Sequence, residues 1–346
     1  MQKRRTTLKD VARATGVHVS TVSRALDPAG RKSITPGVVA KIQAAAEKLD
    51  YRPNRIAFGL RTNRTMTVGV VIPDITNPIF PPILRGIESV LEPLGYASIV
   101  VNTDSERERE VRLLDVLRDR GVDGLIHAAV LRSDPSIAKV ARDDLSVVTL
   151  NRRVEHSTIP YVINDEEMGI WEMLRHLKKL GHRRIAHLAG PQDLSTGQLR
   201  LEAFHNAAKR MSLEVDPGLI VTAVRFNEDE GARCTRELLA SKHDFTAVLC
   251  ANDRLALGCI DILRENGIDC PSDVSVTGFN DMPFLQLARP RLTTVRIQQY
   301  GAGITAATIL LRLMNSGMDD EIPIETVLPV ELVERESTGP VSLRKR

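Results

Sequence analysis

Apolar positions at helical spacing come first along the chain. Leu8, Val11 and Ala12 recur at i, i+3 and i+4, one face of a helix predicted over 8–15 with Thr6 or Thr7 as its cap. Gly16 supplies the left-handed residue that ends such a helix, and Val17 fits as a plug in the turn. A second helix is predicted over 19–26. Val22, Ala25 and Leu26 turn inward there, while Ser20 and Arg24, four residues apart, share the opposite face. Asp27-Pro28-Ala29-Gly30 interrupts the chain, and a third helix over 36–49 is expected to bury Val38, Ile42, Ala45 and Leu49. Two short helices about a glycine-containing turn make a helix-turn-helix unit, whose second helix suits the major groove of duplex DNA.

The next segment, Tyr51-Arg52-Pro53-Asn54-Arg55-Ile56-Ala57-Phe58-Gly59-Leu60, is too short for a helix stable by itself, although Pro53 can open one and Asn54 can cap it. Two readings stay open. It is a hinge that folds on DNA and wedges Leu60 into the minor groove, or a plain linker with an incidental apolar residue.

From residue 67 the pattern changes. Near-continuous apolar runs at 67–72, 97–101, 124–127, 147–150, 185–188, 220–224, 247–250 and 274–278 alternate with helical stretches at 80–91, 106–120, 135–142, 165–180, 197–211, 228–240 and 253–266. This alternation predicts an α/β fold of parallel sheets covered on both faces. So many strands predict two doubly wound halves that meet near 151–165. A helix over 298–315 and strands within 325–334 are expected to cross back between the halves. The predicted organisation is a helix-turn-helix head (1–53), a hinge or linker (54–64) and a two-lobed body (65–340). The body's halves are 65–163 with 293–325, and 164–292 with 326–340.

Charge sharpens this division. Residues 1–64 hold 14 Lys+Arg and 4 Asp+Glu, a surplus of ten positive charges; the rest holds 33 basic and 40 acidic residues, seven negative. A basic head on a mildly acidic body is the footprint of a polyanion binder. Arg24 can donate a bidentate pair to guanine and Ser20 can bond several base edges. Thr7, Ser23 and the amides at helix starts suit phosphates. The composition, 42% hydrophobic and 26% charged over 346 residues, is that of a globular protein of two or three domains. No apolar run approaches the roughly 20 residues of a membrane helix. No apolar stretch follows Met1-Gln2-Lys3-Arg4-Arg5, so a secretory leader is not expected and a cytoplasmic protein is. The four cysteines form no CxxC pair and are read as reduced thiols, with no metal and no cofactor.

Ligands of doubly wound sheets bind beyond the carboxyl ends of the strands, and polar residues gather there: Asp74 and Asn77, Asn151 and Arg152, Asp165, Thr196 and Arg200, Asn252 and Asp253, Asn280 and Asp281. With Phe226 to stack on a sugar's C–H face, such a set suits a polyol between the halves. For Asp165, Asn252, Asp253 and Asn280 individually, helix capping or turn chemistry is an equal reading. Enzyme chemistry finds no support: there is no GxxxxGK(S/T), no GxGxxG after a strand and no GxSxG elbow. His127, His182 and His187 stand beside no obvious Ser or Cys partner.

The motifs Thr7-Leu8-Lys9-Asp10-Val11-Ala12, Gly16-Val17, Thr21-Val22-Ser23-Arg24-Ala25-Leu26 and Tyr51-Arg52-Pro53-Asn54, then Gly69-Val70-Val71-Ile72-Pro73-Asp74, Ala251-Asn252-Asp253, Gly278-Phe279-Asn280-Asp281 and Leu292-Thr293-Thr294-Val295, resemble the lactose/galactose repressor (LacI/GalR) family over residues 6–338. The resemblance implies a transcriptional regulator, in most cases a repressor. It implies a homodimer or dimer of dimers on a pseudo-palindromic operator, and a periplasmic-binding-protein-like body holding a small effector, a sugar or sugar derivative. Control by a protein corepressor, or a sugar-binding protein without regulatory role, are the alternatives. It places Val19, Ser20 and Arg24 at base-reading positions and Leu60 at the intercalating hinge position. Thr7, Thr21, Ser23, Arg31, Tyr51, Asn54 and Arg55 complete the expected DNA-facing set. Phe80, Asp165, Thr196, Arg200, Phe226, Asn252, Asn280 and Asp281 form the expected effector set. Effector occupancy then changes closure of the halves, the spacing of the hinges and the grip on DNA. The sequence departs from the family pattern at His18, at Val38-Val39, at Asn280 where many members carry Asp, and at Ile297. No heptad tail follows Arg335, which predicts a dimer rather than a tetramer.

Overall fold

The computed structural model describes residues 6–26, 30–51, 64–142, 145–315 and 321–341. Two units result, Met1–Thr65 and Met66–Arg346.

The first unit holds three helices, α1 (Leu8–Thr15), α2 (Val19–Leu26) and α3 (Pro36–Lys48). The first two begin where side chains take up backbone groups that the helix leaves unpaired, and α3 begins on Pro36, which has no N–H to pair. Asp10 Oδ2 accepts from both the N–H and Oγ1 of Thr7, at 2.9 and 2.7 Å. Gly16, at φ 71°, closes α1 by donating its N–H to Ala12 O, the left-handed conformation that glycine adopts without penalty. His18 opens α2: its Nδ1 accepts from Ser20 N–H at 3.3 Å and lies 2.8 Å from Ser20 Oγ. The inward stripes meet in a core of Val11, Ala12, Val22, Ala25, Ile42 and Ala46. On α3 the expectation is corrected in part. Ile42 is buried with Ala46, whereas Val38, Ala45 and Leu49 pack only partly buried against them. A three-helix core of this size seals little more than its centre.

The second unit alternates strand and helix. Its first part runs β1 (Thr67–Ile72), α4 (Phe80–Leu91), β2 (Ala97–Asn102), α5 (Arg107–Asp119), β3 (Gly124–His127), α6 (Pro135–Arg142), β4 (Ser146–Leu150) and β5 (Tyr161–Asn164). The second runs α7 (Glu166–Lys179), β6 (Ile185–Ala189), α8 (Ser195–Arg210), β7 (Ile220–Thr222), α9 (Glu228–Ala240), β8 (Ala247–Cys250), α10 (Asp253–Glu265), β9 (Ser275–Asn280) and β10 (Thr293–Arg296). Then follow α11 (Gln299–Asn315), β11 (Glu325–Leu328) and β12 (Glu331–Val333). Two six-stranded sheets form, ordered β11-β5-β4-β3-β1-β2 and β12-β10-β9-β8-β6-β7. Pairing is parallel except between β10 and β12. Each sheet is the centre of one lobe.

The chain crosses between lobes three times, between β5 and α7, between β10 and α11, and between β11 and β12. This corrects the expected division of the body. Residues 293–296 pair in the second sheet rather than the first, and the last crossing falls after Leu328. Neither β5 nor β10 was expected as a strand, and the reason for β10 is physical. Thr293 and Thr294 are fully buried but polar, and the hydrogen bonds of their hydroxyls with Thr338 Oγ1 and Asp253 Oδ1 replace the apolar run that marks other strands.

Helix pairs that cover the sheets come together on glycine. A methyl group on Gly86 of α4 would stand 2.2 Å from Tyr300 O, and one on Gly303 of α11 would stand 2.1 Å from Ile83 O. The same reciprocal contact joins α9 and α10 through Gly231 and Gly258. Among the described residues no helix is long and apolar enough to cross a membrane.

Candidate nucleic-acid interface and inter-lobe cavity

On the head, α2 presents Ser20 and Arg24 to solvent, with Val19, Thr21 and Ser23 half-buried beside them. Arg24 enters no ion pair among the described residues; its Nε lies 3.4 Å from Ser20 O, so the guanidinium remains available. Thr7 is exposed at the start of α1, engaged with Asp10. Arg31 Nε donates to Ala25 O at 3.1 Å, which ties the segment after α2 back onto that helix. Tyr51 is half-buried and its N–H donates to Ala46 O. Asn54, Arg55 and Leu60 lie outside the described residues.

In the body, the loops after the carboxyl ends of six strands enclose a cavity of about 530 Å³. One lobe contributes Pro73, Asp74, Thr76 and Asn77 after β1, Asp104, Ser105, Arg107 and Glu110 after β2, Ala129 and Leu131 after β3, and Arg152 after β4. The other contributes Pro191, Asp193 and Leu194 after β6 and Val224 to Asn227 after β7. The volume falls in the range of small-molecule sites.

Of the eight residues expected at the effector, Phe226 lines this cavity and seven do not. Each of the seven has other employment. Phe80 is core. Asp165 and Asn252 cap α7 and α10, accepting from Met168 N–H at 2.9 Å and Leu255 N–H at 2.8 Å. Thr196 is buried in the first turn of α8. Arg200 is bound through Nε and Nη2 to Glu166 and through Nη1 to Ala251 O, and it lies over the Phe279 ring at 3.8 Å. Asn280 ends β9 at φ 120° and its carbonyl accepts from Gln299 Nε2. Asp281 pairs with Arg296 and Arg335 at 2.8 and 2.6 Å. The strand-end residues Asp74, Asn77 and Arg152 do line the cavity. Arg107, Glu110, Asp193, Arg225 and Asn227 line it too and escaped the sequence reading. Arg107 and Glu110, in the acidic–basic run 106–112, look like a solvated helix face, and only the position of α5 after a strand end could have marked them; Asp193, Arg225 and Asn227 sit in the loops after β6 and β7.

The cavity's charges are largely spoken for. Arg107 Nη2 donates to Asp134 Oδ1 at 2.7 Å and its Nη1 reaches Glu110 Oε1 at 3.2 Å. Burial would raise the Asp134 carboxyl, but Arg107 outweighs it and holds Asp134 below the usual carboxylate range. Asp74 accepts from Thr76 N–H and Oγ1 and pairs across the lobes with Arg254 at 2.7 Å. Burial opposes ionisation of Asp74 too, and the Thr76 and Arg254 bonds overcome it. Arg254 also grips Glu228 with two donors, at 2.8 and 2.7 Å. Two further inter-lobe ties run from Arg132 to Gln192 O and Asp193 O and from Arg153 N–H to Ser195 Oγ. Arg152 differs. It is buried, Nη1 donates to Ala129 O at 3.2 Å, and Nε has no partner.

Groups outside the cavity have packing roles. His182 binds Thr246 and Gly339 O; His187 binds Leu249 O and stacks on Phe204. The cysteines are free, and burial pushes the thiols of Cys234 and Cys270 up to about 11 and about 12. Such thiols are poor nucleophiles at neutral pH.

A basic helix-turn-helix head followed by a two-lobed body of the periplasmic-binding type defines a class, the DNA-binding transcriptional regulators. Residues 7–54 match the model of bacterial regulatory proteins of the lacI family, and residues 174–338 match that of the periplasmic binding protein-like domain. The HTH-type transcriptional regulator RegA of Clostridium saccharobutylicum is 33% identical over 96% of this chain and 99% of its own length. A lac repressor dimer bound to operator and the anti-inducer ONPF superimposes with a TM-score of 0.85 at 28% identity, covering 97% of this chain and all of that one. A complex of the transcriptional regulator CelR with cellobiose does so at 0.74 and 29%, over 96% of this chain and all of that one. The chain belongs to the lacI family; it is a regulator of transcription and not an enzyme.

Proposed function

We propose that the protein is a cytoplasmic repressor that binds a pseudo-palindromic operator as a homodimer and is controlled by a small polar metabolite, a sugar or sugar derivative, held between its lobes. The observation that carries this reading is the cavity: polar groups from both lobes converge where six strands end, so a ligand there bears on lobe closure. A relative's structure with bound cellobiose supports the ligand class, and another's with operator supports the target. Arg24 and Ser20, exposed on α2, are assigned to base edges. Val19, Thr21, Thr7, Ser23, Arg31 and Tyr51, with Asn54, Arg55 and Leu60, are assigned to the surrounding DNA contacts. Phe226, Asp74, Asn77 and Arg152 are assigned to the effector. The domain division becomes head 1–53, hinge 54–64 and body 65–340.

The test begins with selection of the operator from random duplexes, followed by a thermal-shift screen of sugars and sugar acids. Ligands that raise the Tm should change operator affinity at least tenfold. Arg24→Ala should cost about 1–3 kcal/mol on the selected site and relax one base position, leaving nonspecific affinity nearly unchanged. Equal loss on specific and nonspecific DNA removes the base-reading role. Absence of any salt-sensitive preference for a symmetric site removes the whole reading.

A further inference from the structure

Arg152 is 8% exposed and lines the cavity from the end of β4. One hydrogen bond from Nη1 to Ala129 O holds it, Nε is sealed without a partner, and Nη2 makes no hydrogen bond among the described residues. Among the described residues no carboxylate stands within ion-pair distance of it. Arg152 lines the cavity, and of its guanidinium nitrogens Nη2 is the one neither bonded nor sealed among the described residues. Burial pushes the Arg152 pKa down to about 10, against the pull of Asp193 and Glu110; the side chain therefore remains a cation at neutral pH. A buried cation without an anion is costly, and folded proteins pair such groups.

The neighbouring carboxylates cannot serve. Glu110 is bound by Arg107, and Asp74 by Arg254. Asp104 is bound by Arg109. Asp193 is exposed, where water screens its charge. Arg225 also lines the cavity, exposed and in no ion pair among the described residues, so water screens it as it screens Asp193. The buried charge left without a counterion at the cavity is therefore that of Arg152. A neutral polyol would leave it so.

We infer that the effector carries an anionic oxygen group, a carboxylate or a phosphate, which Arg152 receives through the N–H donors of Nη2 while the hydroxyl-bearing remainder meets Asn77, Asn227 and the ring of Phe226. A charge-assisted hydrogen bond from guanidinium to an anionic oxygen is stronger than one to a neutral hydroxyl. This inference rests on the cavity being the effector site, and it narrows the effector from polyols in general to acidic ones.

Calorimetry on the full-length protein with matched probes decides it: D-gluconate against D-glucose, D-galacturonate against D-galactose, and D-glucose 6-phosphate as the phosphate arm. At least one acidic probe should bind tenfold or more tightly than its neutral partner, the better arm telling carboxylate from phosphate. Arg152→Gln should erase that preference, and Arg152→Lys should keep part of it; circular dichroism and Tm establish that each variant is folded. Leu131→Trp, which fills the cavity, should abolish binding of either kind. If neutral sugars bind as well as acids, and Leu131→Trp removes both, the cavity is the effector site but the anion is not its ligand. If no probe of either kind binds, the site assignment falls together with the inference.

Discussion

Asp253 is fully buried, and its two oxygens accept from Thr294 Oγ1 at 2.5 Å and Met282 N–H at 2.9 Å. Burial pushes its carboxyl up from 3.8 to about 7, the two hydrogen bonds offsetting part of the cost and Asp281 adding to it. The unfolded chain releases this proton near pH 4 and the folded chain near pH 7. The folded state thus holds the extra proton between those values. Stability from this group falls as pH climbs through that window, and the loss is complete above about 7. Asp253→Asn can still accept from Met282 and turn its amide to the Thr294 oxygen, so it should flatten the difference in Tm between pH 4.5 and 7.5 relative to the unaltered protein. Parallel pH profiles for the two proteins would refute this account. Asp253 also shows what sequence alone leaves undecided. A polar residue after a strand end reads equally as ligand or as structure, and only the partners choose. Arg200 and Asp281 were lost to ion pairs in this way, whereas Arg152, identical in type to Arg200, kept its donors.

At the scale of elements, capping and periodicity were legible because they are local. Thr7 with Asp10, Gly16, Asn252 and the period of α1 and α2 need only neighbours along the chain. β5 and β10 were hidden because four-residue strands carry too short a period, and because buried threonines satisfied by distant partners look polar. The helix pairs were hidden for a related reason, since a glycine's near contact belongs to another helix. Gly303→Ala would drive a methyl group to 2.1 Å from Ile83 O, and backbone cannot yield cheaply. It should cost about 1–3 kcal/mol, read from the midpoint of urea unfolding. Gly301→Ala, on the same helix, meets only the Gln298 side chain at 3.6 Å or more and should be neutral or mildly stabilising. Similar losses at both positions, or no loss at Gly303, would refute crowding against Ile83 O as the cause.

At the scale of the molecule, lobe closure is where the cavity and the charge network meet. The Asp74–Arg254–Glu228 cluster spans the lobes at the cavity wall, so opening must break its Asp74 arm. Asp74→Asn can keep its acceptor oxygen for the Thr76 turn while removing the charge. The exchange should weaken closure by about 1 kcal/mol, roughly a five-fold shift toward open forms, seen as a larger radius of gyration in solution scattering and faster amide exchange around Val224–Glu228. Unchanged scattering and exchange would show that the Arg132 and Arg153 ties hold the lobes without it. The two-lobed plan and the strand ends as the site's location followed from alternation alone. The lining itself did not, because it depends on which loops face each other.

The three crossings carry a consequence for biosynthesis. The lobe that the ribosome begins first is denied its covering helix and its outermost strand until residue 328 has been made, after nearly all of the other lobe. Nascent chains stalled before that point should present a half-clothed sheet, with α4 missing its partner, to whatever chaperones attend the exit tunnel. A truncation meant to isolate one lobe removes part of it, so the two are inherited together.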